Sequence, residues 1–362
     1  MNGASANFWQ SAWKRLKKNK AALAGLVMII LSVVVALFGY FIAPDPSPFA
    51  NRIILEIGGQ KPRFTQHFLL IKKVAPPIPE NIFDRAVSGK RDAVDFMPIT
   101  TWHQSGDSII AQKFIDEGLT DRVSFSRKDL AQQPVVTRTF WLGTDRYGRD
   151  ILSRLIIGTR ISLSVGLITV LISLTVGITL GAIAGYFRGT ADDIIMWAIN
   201  VIWSIPTLLL VFAITLLLGK GFWQVFVAVG LTMWVNVARL VRGQILATRE
   251  LQYVEAAKAL GFSHFRIIVR HILPNILGPI LVIAAANFAS AIVIEAGLSF
   301  LGVGVQPPQP SWGLMIKENY NFIITQNPVL ALAPGFAIIL LVLAFNLLGN
   351  GLRDALNVRG KL

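Results

Sequence analysis

The side chains able to do chemistry in this chain are few and scattered. Four histidines, His67, His103, His264 and His271, show none of the spacings that hold a metal, and there is no cysteine to supply a thiolate ligand or a disulfide. No run matches Gly-x4-Gly-Lys-Ser/Thr, the loop whose backbone amides cradle phosphate. The nearest fragment, Gly219-Lys220-Gly221, is a short turn between two apolar runs. Nothing in this inventory points to an enzyme, a resident metal or a cofactor. A second set of polar residues falls inside long apolar runs: Asn200, Asn236, Asn287 and Asn346, with Ser204, Thr207, Thr232 and one acid, Glu295. Neutral amides and hydroxyls in such runs bond helix to helix or hydrate a passing solute. Those four asparagines and Glu295 are therefore the candidates for a pathway or gate. Counted from Asn275 at 1.5 Å per residue, Glu295 lies ~30 Å along its run, too peripheral for the midplane relay that an ion-coupled secondary transporter needs. It reads either as a paired or solvated interfacial carboxylate or as part of an external gate.

The elements that must carry these residues are set by composition. Of 362 residues, 54% are hydrophobic and 15% charged, and the mean hydropathy is +0.59, outside the range of ordinary soluble domains. Runs long enough for a bilayer core, about 20 helical residues, occur at Ala21–Ile42, Ile161–Phe187, Ile194–Leu218, Phe222–Leu240, Ile276–Phe300 and Pro328–Gly349. Six spans are expected, the first too long for a cleaved signal. The net charge of +14 is not gathered into an aromatic-interleaved patch, which argues against nucleic acid. It reports topology: Lys14, Arg15, Lys17, Lys18 and Lys20 precede the first span, and Arg239, Arg242, Arg249, Lys258, Arg266 and Arg270 flank or fill residues 243–275. Both termini and that loop are thus expected on the cytoplasmic side, and residues 43–150 outside.

The expected organisation is a basic interfacial segment at 1–20 with aromatic anchors Phe8, Trp9 and Trp13, a first transmembrane helix at 21–42, an extracytoplasmic subdomain and return segment at 43–150, a core at 151–350 and a tail at 351–362. Within the subdomain, Ile53–Ile57 and Phe68–Ile71 read as strands, and Gly58-Gly59 and Pro76-Pro77 as turns. Asp150 reads as the N-cap of an interfacial helix running towards Thr159, with Gly143 and Gly148 permitting tight turns before it. Pro206 and Pro279 should kink their helices, as packing devices or hinges. Gly177, Gly181 and Gly185 form a small-residue face for a neighbouring helix, in this chain or in a second one.

The stretch Glu255–Asn275, EAAKALGFSHFRIIVRHILPN, is polar and basic between two membrane-length runs. Leu246, Tyr253, Ala257 and Leu260 fall on one helical stripe, opposite Thr248, Glu255 and Lys258. Gly261 can end that helix in the left-handed conformation, Ser263 can cap a second, and Pro274 can close it. Helix, glycine turn and helix make a short projecting knob, which on periodicity alone could equally be a plain connector.

Residue identities go further. Glu255-Ala256-Ala257, Gly261 and Leu273-Pro274 resemble the signature loop of membrane subunits of bacterial ABC importers. Leu142-Gly143-Thr144-Asp145, Gly148-Arg149-Asp150, Ser153-Arg154 and Gly158-Thr159-Arg160 resemble the start of the transport domain in the dipeptide/oligopeptide branch. Glu295–Gly313 and Gly349–Arg359 extend the likeness, although the tail has Asn350, Asn357 and Val358 where acidic residues and proline are expected. The resemblance implies an all-α membrane protein with the six transmembrane helices of the type-1 importer permease fold and an extracytoplasmic mixed α/β insertion between helices 1 and 2. It implies a permease subunit of the bacterial inner membrane, for di- or oligopeptides first, with nickel complexes or glutathione-like peptides behind and an ion-coupled secondary transporter as the rival. The implied partners are a second homologous permease, two cytoplasmic ATPase domains carrying ATP and Mg, an extracytoplasmic solute-binding protein and the lipid bilayer. The implied ATPase-coupling residues are Glu255, Ala256, Ala257, Gly261, His271, Leu273 and Pro274.

Overall fold

The computed structural model describes residues 2–75, 80–116, 118–219, 221–324 and 327–356, with side chains from residue 10 onward. The expectations placed on Phe8 and Trp9 side chains, Pro76-Pro77, Lys220 and Asn357–Arg359 fall outside these. Helix α1 (Asn2–Lys18) carries the basic cluster and leads into α2 (Lys20–Ile42). Then come β1 (Phe64–Lys72), α3 (Ile82–Ser88), β2 (Val94–Ser105), β3 (Ser108–Asp116), β4 (Leu119–Ser126) and β5 (Leu130–Phe140). The rest is helical: α4 (Ile151–Phe187), α5 (Gly189–Trp203), α6 (Thr207–Leu218), α7 (Phe222–Thr248), α8 (Gln252–Ala259), α9 (His264–Arg266), α10 (Leu273–Phe300), α11 (Trp312–Asn319) and α12 (Val329–Leu356). Among the described residues, five helices are long and apolar enough to cross a membrane, and α5 with α6 makes a sixth span only if that pair, bent by 94°, counts as one. The run Ile194–Leu218, expected as one span kinked at Pro206, is thus two helices. The break falls at Ser204–Pro206, where proline can neither donate to the helical ladder nor leave its predecessor in α geometry.

The chain divides into two compact units. The first comprises residues 1–32, 162–306 and 338–362. Its core rests on close helix approach. A Cβ on Gly177, Gly181 or Gly185 would come within 2.5–2.8 Å of Val237, the Ala238 carbonyl or the Arg242 carbonyl, so the glycine face of α4 meets α7 of the same chain. Arg242 on α7 also chelates Asp192 on α5, an acid that the sequence reading left outside the spans because it starts that span at Ile194. Pro279 lies inside α10, which continues past it.

The second unit, residues 33–161 and 307–337, holds an antiparallel sheet in the order β4-β3-β2-β1-β5. Leu69, Ile99, Ile109, Ala111 and Leu130 pack on one side of it, and Phe68 and Phe140 join Ile54 and Ile57 on the other, as the period-2 alternation of strands requires. Ile53–Ile57 is not a strand. Leu55–Ile57 forms a 3-10 turn, because residues 54–60 are committed to another partner. The Ile54 amide donates to the Tyr147 carbonyl, the Gly59 amide to that of Asp145 and the Thr144 amide to that of Gln60. The turn carrying the Leu142–Asp150 motif therefore sits in a cradle built by the insertion. Gly143 (φ +81°) and Gly148 (φ +72°) are required there, since a Cβ would lie 2.2 Å from the Gln60 carbonyl and 1.7 Å from that of Ile54. Asp150 caps α4 as expected, accepting from the Ser153 amide at 2.8 Å, but that helix runs unbroken to Phe187.

Candidate coupling knob and pathway

Helix α8 ends in a double closure. The Gly261 amide donates to the Lys258 carbonyl and the Phe262 amide to that of Ala257, with Gly261 at φ +77°. This is the Schellman arrangement, in which a left-handed residue satisfies the last carbonyls of a helix and the next side chain folds back on it. Phe262 packs against the cluster containing Ala257. Ser263 caps α9, its Oγ accepting from the Arg266 amide at 3.4 Å. Two expectations change. The stripe Leu246–Leu260 does not lie on one helix, because the chain breaks at Arg249–Leu251; Val254 and Ala257 face inward, whereas Leu260 is 71% exposed. Pro274 does not close the second helix: it lies at the start of α10, just after a π-turn at Ile267–Ile272, and the helix His264–Phe300 continues through it.

The coupling candidates separate by depth. Glu255, Ala256, Gly261 and Pro274 are exposed, while Ala257 is buried and Leu273 packs on the same cluster. His271 stacks on Phe262 with centroids 5.7 Å apart, and its Asn275-bonded carbonyl ties the π-turn to Tyr253, whose hydroxyl accepts from the same amide at 3.1 Å. His264 bonds Tyr186 at 2.9 Å. Sequence reasoning missed Leu260 and Phe265, which expose 71% and 76% of large apolar side chains beside Glu255 and Gly261. An apolar residue directly before a capping glycine is a signal that could have found the first.

Of the pathway candidates, Asn236 and Asn346 line one cavity of about 420 Å³, together with Trp203, Thr207, Thr232 and Ser290. Asn200 instead accepts from Arg239, whose guanidinium lies 3.7 Å from the Trp203 ring centroid. Asn287 is buried and donates to Ser173. Glu295 is fully buried, not solvated; Ser299 donates to it at 2.6 Å and accepts from the Val305 amide, which brackets the turn after α10.

The motif preceding α4 forms a buried ion network in the second unit. Arg149 reaches Asp145 at 2.6 Å and Glu318 of α11 at 2.7 Å, and Arg154 reaches Glu318 at 3.2 Å. Glu318 was missed, being an acid with no local pattern 164 residues away from Arg154.

A set of membrane-length helices with a capped loop between two of them is the frame of a polytopic membrane protein, and comparison with known proteins identifies the class as transport permeases. The family model for the inner membrane component of binding-protein-dependent transport systems matches residues 177–360, and one for the N-terminal transmembrane domain of oligopeptide transport permease C matches residues 7–56. A dipeptide transport system permease protein of Bacillus subtilis is 32% identical over 353 residues, 98% of this chain and 86% of its own length. An oligopeptide transport system permease protein of the same organism is 34% identical, covering 77% and 97%. A glutathione transport system permease protein of Pectobacterium atrosepticum is 45% identical over 221 residues, 61% of this chain and 73% of its own. The chain belongs to the family of inner membrane components of binding-protein-dependent transport systems.

Proposed function

We propose that this chain is a permease subunit of an ATP-driven importer for di- or oligopeptides, glutathione-like peptides included. It forms half of a pathway completed by a second homologous permease in the bacterial inner membrane, with both termini cytoplasmic. ATP and Mg are held by two ATPase domains, and solute arrives from an extracytoplasmic binding protein. The observation that carries the coupling assignment is the Schellman-closed α8, which exposes Glu255, Ala256 and Leu260 on a support of buried side chains continuous with α10. Such a knob can transmit a push: Glu255 offers a polar contact, Leu260 and Phe265 apolar ones, and the π-turn beneath joins them to a membrane helix. Asn236, Asn346, Thr207 and Thr232 suit a peptide conduit, because neutral amides and hydroxyls substitute for water around a passing backbone without trapping it.

The experiment is ATP-dependent uptake of labelled dialanine and glutathione into vesicles holding the assembled complex, with Glu255→Ala and Leu260→Ser alongside the parent. Loss of ATPase co-purification in the variants, with the chain still in the membrane, is the expected result. Undiminished docking and uptake in both would remove the knob from the coupling path.

A further inference from the structure

The extracytoplasmic unit contains a cavity of about 200 Å³, lined by the Asp150 turn and the sheet, that the transport reading does not use. Phe68, Phe96 and Phe140 supply its apolar lining, and Asp45, Arg52, Arg138 and Asp150 its charged lining. Asp150 is 5% exposed. Its Oδ2 accepts from the Ser153 amide and hydroxyl, whereas its buried Oδ1 accepts nothing. Arg138 lies over the Phe96 ring at 4.7 Å and spends Nη1 on the Pro44 carbonyl at 2.9 Å; among the described residues no carboxylate lies within ion-pair distance of it. The neighbouring charges are already matched. Arg52 is chelated by Asp92 at 2.7 and 2.8 Å and paired with Asp45 at 3.1 Å, and Asp45 also accepts the Ser47 amide.

A buried carboxylate oxygen without a donor and a half-buried guanidinium without a direct ion pair are each costly, and the two form no ion pair with each other. A water could fill the hydrogen bond of Asp150 but would give neither group a direct partner of opposite charge. We propose that this cavity binds a small zwitterion of α-amino acid size, its ammonium on Asp150 Oδ1 and its carboxylate on Arg138, with the side chain against the phenylalanines. Burial and the like charge of Asp45 hold the Asp150 carboxyl above its usual range, and burial beside Arg52 holds Arg138 below its own. A zwitterion reverses both effects, since each of its ends brings the missing opposite charge. The site lies in the exported unit and is independent of whether the knob couples to an ATPase.

The test is equilibrium binding of labelled L-alanine to the full-length chain in its assembled complex in nanodiscs, without ATP. Saturable binding is expected, with methylammonium and acetate each competing at least about tenfold less well than unlabelled L-alanine, because each satisfies one end only. Asp150→Asn keeps an N-cap, and Arg138→Gln keeps a polar stem; each should weaken L-alanine by at least about tenfold. Absence of saturable binding to the parent, or undiminished binding to both variants, overturns the proposal. Competition by methylammonium equal to that of L-alanine overturns the Arg138 half.

Discussion

At the scale of single residues, the sharpest test of the knob is Gly261. With φ at +77° and open space around an added Cβ, Gly261→Ala should cost only the left-handed penalty of about 1–2 kcal/mol and leave docking weakened but present. Gly261→Pro locks φ near −65° and should abolish ATPase co-purification. Glu318→Gln tests the buried network: it leaves Arg149 and Arg154 facing one fewer carboxylate in a dry site, a change that in buried pairs costs about 3–5 kcal/mol. The expected readout is a lowered thermal midpoint of the purified chain, and an unchanged midpoint would show the network to be idle. Asp150 gives a pH dependence of known sign. Its folded carboxyl is raised above the unfolded value of about 3.9, so folding favours the protonated form and its contribution falls as pH rises through the folded value. The midpoint of ligand-free Asp150→Asn should therefore gain on the parent as pH rises above about 4. Gly261, Ser263 and Asp150 were legible in the sequence because caps and left-handed turns are local. Glu318, the inward face of Val254 and the exposure of Leu260 were not, since each depends on where the chain goes next.

At the scale of elements, hydropathy located the long helices because twenty apolar residues leave few alternatives. Their ends and bends were less readable. Pro206 marks the break between α5 and α6, yet the helix His264–Phe300 continues through both Pro274, which was expected to stop it, and Pro279. The α4–α7 contact makes a contrast available. Gly181→Val would drive a Cβ to 2.5 Å from the Ala238 carbonyl and should destabilise the chain by about 1–3 kcal/mol, whereas Gly243→Ala, with nothing within 4 Å, should be neutral or gain up to about 1 kcal/mol. Thermal unfolding of both variants in the same detergent reads the difference.

At the scale of the whole molecule, the insertion between α2 and α4 was legible as a strand-and-turn segment, but its tie to the Leu142–Asp150 motif was not. That tie runs through backbone groups, which leave no trace in residue type. It predicts unequal deletions. Removing residues 51–137 takes away the cradle and should prevent accumulation of the chain. Removing residues 108–126 deletes only the β3–β4 hairpin, whose flanks already meet through the Arg127 amide and Asp107 carbonyl at 2.8 Å, and should leave an inserted, less thermostable protein. Equal accumulation of the two would show the cradle to be dispensable. Sidedness is checked in the cysteine-free background: Lys90→Cys should react with an impermeant thiol reagent from outside, and Lys258→Cys only after the inner leaflet is opened.

The continuity of His264–Phe300 has a mechanical meaning. Thirty-seven residues of helix make a rod of ~55 Å, with Ser263 and the knob at one tip and the Glu295–Ser299 bracket near the other. A displacement imposed at one tip of such a rod is felt at the other. One joint along it, the π-turn at Ile267–Ile272, lies directly beneath the knob. Tightening that joint by deleting one residue would rotate everything beyond it by about 100°, turning the rod into a crank set at the wrong angle. Under the coupling proposed above, such a chain would still dock its ATPase, and the stroke would go nowhere.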